Sequence, residues 1–267
     1  MRAPLAIVRG GGDIATGTID RLHRSGFSVI VTEIETPTVI RLKVAAATAV
    51  YEGEVLVEGL KYVQVESIEE VNTCLAASEI PVIVDPQMTQ LEELAPDLIV
   101  DATLAKRNLG LKIDMAPIVI ALGPGFEALI DCHAVIETSR GHDLGRVFYS
   151  GKAKADTGIP GEILGFSEKR ILRAPSRGYL KADKKIGDLV KSGELIGKVN
   201  NEAFYAQVEG VIRGLIHTRV QVKNGMKIGD VDPRGDITAC EQISDKARAL
   251  GGSVLEAYLH LSGGIKI

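Results

Sequence analysis

The sequence predicts an α/β protein: a mostly parallel sheet with helices on both faces, followed by a small β-sandwich. Three observations carry this. Short β-branched runs alternate with helical segments through the first half. The polar and glycine clusters fall where those runs end. From residue 174 a 26-residue stretch repeats itself 32 positions later without a gap. The expected divisions are 1–168 for the α/β part, 169–236 for the sandwich, and 237–267 for a terminal helix packed on the first part.

Leu5-Ala-Ile-Val8 reads as a buried strand that Gly10-Gly-Gly12 breaks. From Ile14 to Arg24 the apolar residues Ile14, Ile19 and Leu22 share a helical face. Phe27–Val31 is a second strand ending at Thr32-Glu33. Residues 38–50 ("TVIRLKVAAATAV") have helical composition. Glu54–Val57 and Tyr62–Val65 suit a small hairpin, and 68–77 a helix. Strands follow at Pro81–Val84, Asp97–Val100, Ile118–Leu122, Ala134–Ile136 and Val147–Tyr149. In such sheets, sites gather at the carboxyl ends of the strands.

The repeat sets "APSRGYLKADKKIGDLVKSGELIGKV" (174–199) on "AQVEGVIRGLIHTRVQVKNGMKIGDV" (206–231). Gly178, Val190, Gly193 and Gly197 fall on Gly210, Val222, Gly225 and Gly229. Self-similarity at a fixed offset implies two copies of one supersecondary unit about a pseudo-two-fold axis. Two such copies resemble the biotinyl/lipoyl-like barrel-sandwich hybrid. The connection Val199–Phe204 contains no lysine, so a covalently attached carrier is not expected, and a structural or docking module is. Ile243–Leu261 is an amphipathic helix that Gly251-Gly252 is expected to loosen.

With 267 residues, 45% hydrophobic and 25% charged, the chain can bury a substantial core, made without tryptophan and mainly of Val, Ile, Leu and Ala. A net charge of −4 offers nucleic acid and anionic membrane no general attraction. The apolar run near the N-terminus is too short for a signal peptide, and no span is long enough for a membrane. Cys74, Cys132 and Cys240 lie far apart, which fits a reducing cytoplasm. Five scattered histidines lack ligand spacing, so no metal site is expected. The sequence leaves the oligomeric state open, homo-oligomers included.

Local clusters carry the candidate chemistry. Gly10, Gly12 and Ala15 form G-x-G-x-x-A between a strand and a helix, and Glu33 closes the second strand. With Gly11 and Asp13, that corner suits a phosphate at a helix N-terminus and a ribose hydroxyl on Glu33, or only a tight turn. Lys106, Arg107 and Asn108 follow a strand and suit an anion. Gly123 and Gly125 flank a proline in a stiff turn that exposes N–H groups. Glu137, Arg140, His142, Asp143 and Arg146 crowd one loop, with His142 and Glu137 as candidate acid–base residues and Arg140 and Arg146 as anion contacts. Thr157 adds a hydroxyl. Asp232 and Arg234 either pair with each other or reach toward a ligand. Cys132 reads as a buried core residue or as a thiolate for sulfur transfer.

Taken in order, "VRGGGDIATG", "AKRN", "LGPGF", "IETSRGHDLGRV", "TGIPG" and "GDVDPRGD" resemble the selenium-dependent molybdenum hydroxylase system protein family, from about residue 5 to 262. The resemblance implies an accessory protein that helps mature a molybdenum hydroxylase, with that enzyme as partner and a molybdopterin-type cofactor or nucleotide as the small anionic ligand. The phosphate of such a ligand would be met by the Rossmann-like glycine turn, Lys106, Arg107, Arg140 and Arg146. An NAD-dependent oxidoreductase and a non-catalytic docking scaffold are the alternatives.

Overall fold

A computed structural model describes residues 2–158 and 161–264. The chain forms two compact units. The first comprises Met1–Glu35, Ala45–Thr157 and Ile243–Ile267; the second comprises Thr36–Val44 and Gly158–Gln242.

The first unit is built on a nine-stranded sheet. Its strands are β1 (Leu5–Arg9), β2 (Ser28–Glu33), β3 (Glu54–Val57), β4 (Leu60–Val65), β5 (Ile80–Val84), β6 (Leu98–Asp101), β7 (Ile118–Leu122), β8 (Ala134–Ile136) and β9 (Val147–Phe148), in the order β3-β4-β5-β2-β1-β6-β7-β8-β9. Strands β4 to β8, with β1 and β2, run parallel; the edge strands β3 and β9 run antiparallel to their neighbours. The central strands are buried on both faces: residues i and i+2 share one face, residue i+1 takes the other, and each face meets its own layer. Leu5, Ile7, Ile30, Ile83, Ile99 and Val119 pack with Val71 and Cys74 of α3 (Ile68–Ala76) and with Phe126. Ala6, Val8, Val29 and Val31 alternate to the other face, and α1 (Asp13–Arg24) packs against β1 and β2.

α5 (Asp245–Leu261) is continuous through Gly251-Gly252, so the expected loosening is absent. Its glycine is a packing device. A Cβ on Gly251 would collide with the carbonyl of Gly17 in α1, and one on Gly17 with the backbone of Ala247. The two helices therefore lie against each other backbone to backbone. Ser244 caps α5 by accepting from the Ala247 N–H at 3.2 Å.

Residues 38–50 do not form the expected helix. They hold two 3₁₀ turns, Leu42–Val44 and Ala46–Thr48, and the single turn α2 (Ala49–Glu52). Tertiary bonds override alanine's propensity: the Ala47 N–H donates to Gly11 O at 2.9 Å, and the Leu215 N–H donates to Ile40 O at 2.7 Å. One further helical turn, α4 (Leu91–Leu94), precedes β6.

The second unit contains two four-stranded antiparallel sheets. One is β10-β17-β15-β12, of Ile171–Arg173, Lys227–Asp232, Gly210–Leu215 and Leu189–Val190. The other is β14-β13-β11-β16, of Glu202–Tyr205, Leu195–Val199, Gly178–Ala182 and Gln221–Val222. The repeat is visible element by element: β11, β12 and β13 recur 32 positions on as β15, β16 and β17. The copies exchange strands. β12 of the first pairs with β15 of the second, and β16 of the second pairs with β11 of the first.

The expected fold class is corrected. The large sheet is mixed rather than simply doubly wound. Both antiparallel sheets are completed by strands outside the repeat, β10 and β14. Short edge strands of this kind carry too little periodic signal to be placed from sequence. The Rossmann-like and biotinyl/lipoyl-like descriptions are not kept. Among the described residues, no helix is long and apolar enough to cross a membrane.

Candidate functional site

The glycine turn after β1 is shaped by its neighbours. Gly10 has φ +85° and donates its N–H to Thr32 O at 2.8 Å. A Cβ on Gly11 would approach Ala47 N to 2.8 Å. The Gly11 N–H, an amide a bound phosphate would need, donates to Glu33 Oε1 at 2.7 Å, while Ile34 N–H donates to Oε2 at 2.8 Å. A carboxylate of the chain thus occupies the place of an external anion. Burial raises the Glu33 carboxyl above its ordinary value, and the two N–H donors offset only part of that. Asp13 lies in the first turn of α1, adding a negative charge.

Next to this turn, Arg9 ties four segments together. Its guanidinium donates to Asp101 Oδ2 at 3.1 Å, to Pro86 O at 2.8 Å and to Leu109 O at 2.9 Å. Asp101, fully buried, also accepts from the Thr103 hydroxyl at 2.6 Å. Register explains the pairing: Arg9 lies opposite Asp101 on β6 and Thr32 on β2. These groups frame a cleft of about 230 Å³ at the carboxyl ends of β1, β2, β5 and β6, lined by Arg9, Gly10, Thr32, Glu33, Pro86, Gln87 and Thr103. Within its wall the buried Thr32 hydroxyl makes no hydrogen bond among the described residues. Arg9 and Thr32 carry no site signal in the sequence, because only strand register brings them together with Asp101.

The crowded 137–146 loop is held by its own partners. Glu137 is fully buried and accepts from Ser139 N–H at 2.7 Å and Lys154 N–H at 2.8 Å. Arg140 grips Asp245 through two 3.0 Å bonds. Arg146 pairs with Asp143 at 3.0 Å, and Lys154 pairs with the same carboxylate at 2.5 Å. Those two cations and His142 hold the Asp143 carboxyl below its ordinary value, the Lys154 hydrogen bond contributing most. His142 is exposed.

Of the other expected contacts, Lys106 pairs with Asp156 at 2.7 Å, and Asn108 closes its own turn on Gly110, Leu111 and Asp131. Arg107 is exposed and makes no ion pair among the described residues. Gly123 and Gly125 admit close neighbours: added Cβ atoms would meet Thr138 Oγ1 at 2.6 Å and Arg107 N at 2.5 Å. Thr157 is exposed, and residues 159 and 160 of the "TGIPG" stretch lie outside the described residues. Gly10, Gly11 and Glu33 therefore meet at one corner, whereas Arg140, Arg146 and Lys106 are each neutralised locally. Asp232 and Arg234 belong to the second unit and pair with each other at 2.6 Å.

Lys246, in the first turn of α5, carries no motif that marks it in the sequence. Burial depresses its ammonium below the ordinary lysine value, with the Arg140 charge adding to this and Asp13 and Glu137 opposing it. Cys132 is fully buried, and burial with Asp131 nearby pushes its thiol up to about 12. Among the described residues no group of three or more His, Cys, Asp or Glu side chains could hold a metal ion.

No protein-family model matches the chain. It is 50% identical over 257 residues to a protein of Escherichia coli (strain K12) described as "Uncharacterized protein YqeB". The match takes in 96% of this chain and 48% of that protein, so the chain spans about half the length of the curated relative it matches. Among solved structures it is similar to a succinylglutamate desuccinylase/aspartoacylase from Rhodobacter sphaeroides, with a TM-score of 0.27 and 14% identity over 86% of this chain and 85% of that one. An aspartoacylase family protein from Mesorhizobium loti gives 0.26 and 10%, with coverage of 86% and 85%. The ectoine utilization protein EutE (DoeB) from Ruegeria pomeroyi gives 0.24 and 11%, also over 86% and 85%. Likenesses this distant carry no argument about chemistry. The expected molybdenum hydroxylase family is corrected by the curated relative, whose description names no molybdenum, selenium or cofactor maturation. The molybdenum hydroxylase partner and the maturation role fall with it. So do the NAD-dependent oxidoreductase, whose expected ribose carboxylate, Glu33, accepts from the Gly11 and Ile34 N–H groups instead, and the docking scaffold, which the curated relative's description does not name.

Proposed function

We propose that the first unit binds a small amine- or amide-bearing molecule in the cleft between Arg9, Thr32 and Glu33. The observation that carries this reading is the buried, unpartnered Thr32 hydroxyl beside a carboxylate in a cleft of about 230 Å³. A buried hydroxyl without a partner costs stability unless a ligand satisfies it. The charges favour a donor-rich ligand. Arg9 is already committed to Asp101 and two carbonyls, so the groups left to a ligand are Glu33, buried in the wall, whose two oxygens keep lone pairs beyond the two N–H groups they accept, and the exposed Gln87. A phosphate in the cleft would face the Glu33 carboxylate, and the Gly10 and Gly11 amides beside it already donate to Thr32 O and to Glu33. Three buried, unpaired cysteines support a reducing, cytoplasmic setting.

The test is a thermal-shift screen of small amines, amidines and amides, with nucleotides, pterins and inorganic phosphate as the opposing set. The reading expects stabilisation by members of the first set. It expects Thr32→Val to abolish that stabilisation, because valine keeps the shape and removes the hydroxyl. Stabilisation by phosphate compounds alone, or an undiminished response in Thr32→Val, overturns it.

A further inference from the structure

The second unit carries its own groove, independent of the cleft in the first. It encloses about 430 Å³, within the range of small-molecule sites. Its floor is apolar: Leu42, Leu180, Ile186, Leu215 and Ile216. Leu180, Leu215 and Ile216 are buried beneath it, and Ile186 is half-buried. Three lysines, Lys43, Lys184 and Lys185, stand at its rim beside His217, and no Asp or Glu lines it.

The position follows from the repeat. Residues 183–186 follow β11, and residues 215–218, 32 positions later, take in the last residue of β15 and the turn after it. Both turns line the groove, so it lies where the two copies face each other. The copies differ there in the way a binding site requires. Lys184 and Lys185 of the first correspond to Ile216 and His217 of the second, so the two lysines have no lysine counterpart across the repeat.

The lysines are not exhausted by internal pairing. Lys184 meets Glu194 at 2.5 Å and Lys43 meets Glu241 at 2.7 Å, both partly exposed and therefore weak pairs. The Lys185 amine makes no ion pair among the described residues. An apolar floor beneath a cationic rim selects a molecule with an apolar body and an anionic end.

We infer that this groove binds a small amphipathic carboxylate, its hydrocarbon on Leu180, Leu215 and Ile216 and its carboxylate at Lys185. The chain is titrated with octanoate and with octanol while backbone amide resonances are followed by NMR. Octanoate should saturate, with its largest shifts at Ala182, Ile186, Ile216 and Thr218, and bind at least tenfold more tightly than octanol. Lys185→Glu and Thr218→Glu, both at exposed positions, should each erase that preference and leave octanol binding as it was. The inference is overturned by absence of saturation, by shifts centred elsewhere, by equal affinity for acid and alcohol, or by a preference that survives both substitutions.

Discussion

Arg9 and Asp101 sit directly opposite each other on the adjacent parallel strands β1 and β6, and their side chains form an ion pair of 3.1 Å that is almost wholly removed from water. Removing one member of such a pair strands a buried charge. Asp101→Asn should therefore cost about 3–5 kcal/mol in urea unfolding. The joint change Arg9→Met with Asp101→Leu should cost less than the two single changes added together, which a double-mutant cycle measures.

The α1–α5 contact separates two adjacent glycines. Gly251→Ala forces a methyl group into the Gly17 carbonyl and should destabilise by about 1–3 kcal/mol. Gly252→Ala meets nothing within 4 Å and gains helix propensity, so it should stabilise by about 0.5–1 kcal/mol. Opposite shifts in the melting midpoint of the two variants are the check.

Glu33 gives stability a distinctive pH dependence. Its folded-state value is raised, so between the ordinary glutamate value and the folded one the native chain holds the extra proton. The Glu33 contribution is then lost as pH rises through that window. Glu33→Gln leaves one of the two amide donors facing an NH2 group, at a cost of about 1–3 kcal/mol. It also removes the titration. The stability advantage of the original chain over Glu33→Gln should shrink as pH is raised from 4 to 8.

Asp232 behaves in the opposite sense. Burial alone would raise its carboxyl, but hydrogen bonds from the Arg234 guanidinium and N–H, with Arg213 nearby, bring it below the ordinary value. Its contribution is present above the ordinary aspartate value and disappears as pH falls through the lower folded one. Asp232→Asn should cost on the order of 2 kcal/mol at neutral pH and flatten the acid limb of the stability curve.

Cys132 should be silent toward alkylation. Its thiol donates to Ala134 O at 3.3 Å and is fully buried. Iodoacetamide should label it in denaturant and leave it unmodified in the native chain, as intact-mass measurements would show.

What was legible divides along the range of the interactions involved. Runs such as Leu5–Val8 and Ile118–Leu122 announce strands because their own β-branched residues suffice. The offset of 32 residues marks one unit present twice because its glycines recur at fixed places, as Gly193 on Gly225 and Gly197 on Gly229 show. The segment 38–50 misled because alanine favours helices in isolation, whereas here Gly11 and Leu215 use its backbone. The loop at 137–146 reads as a cluster of charges in sequence because the partner of Arg140 lies far along the chain. Asp245 lies 105 residues from Arg140, and nothing local marks it. The cleft was hidden for the same reason, since Arg9 and Asp101 are 92 residues apart.

The strand exchange between the two repeated units bears on how this part of the chain can be taken apart. Since β12 and β16 each complete the other copy's sheet, neither half owns all the hydrogen-bonding partners of its own strands. A cut in the Asn200-Asn201 connection would yield two fragments with open edges that match each other. Each fragment's most complementary companion is the other, so reassembly from separated halves follows directly from how the strands are shared.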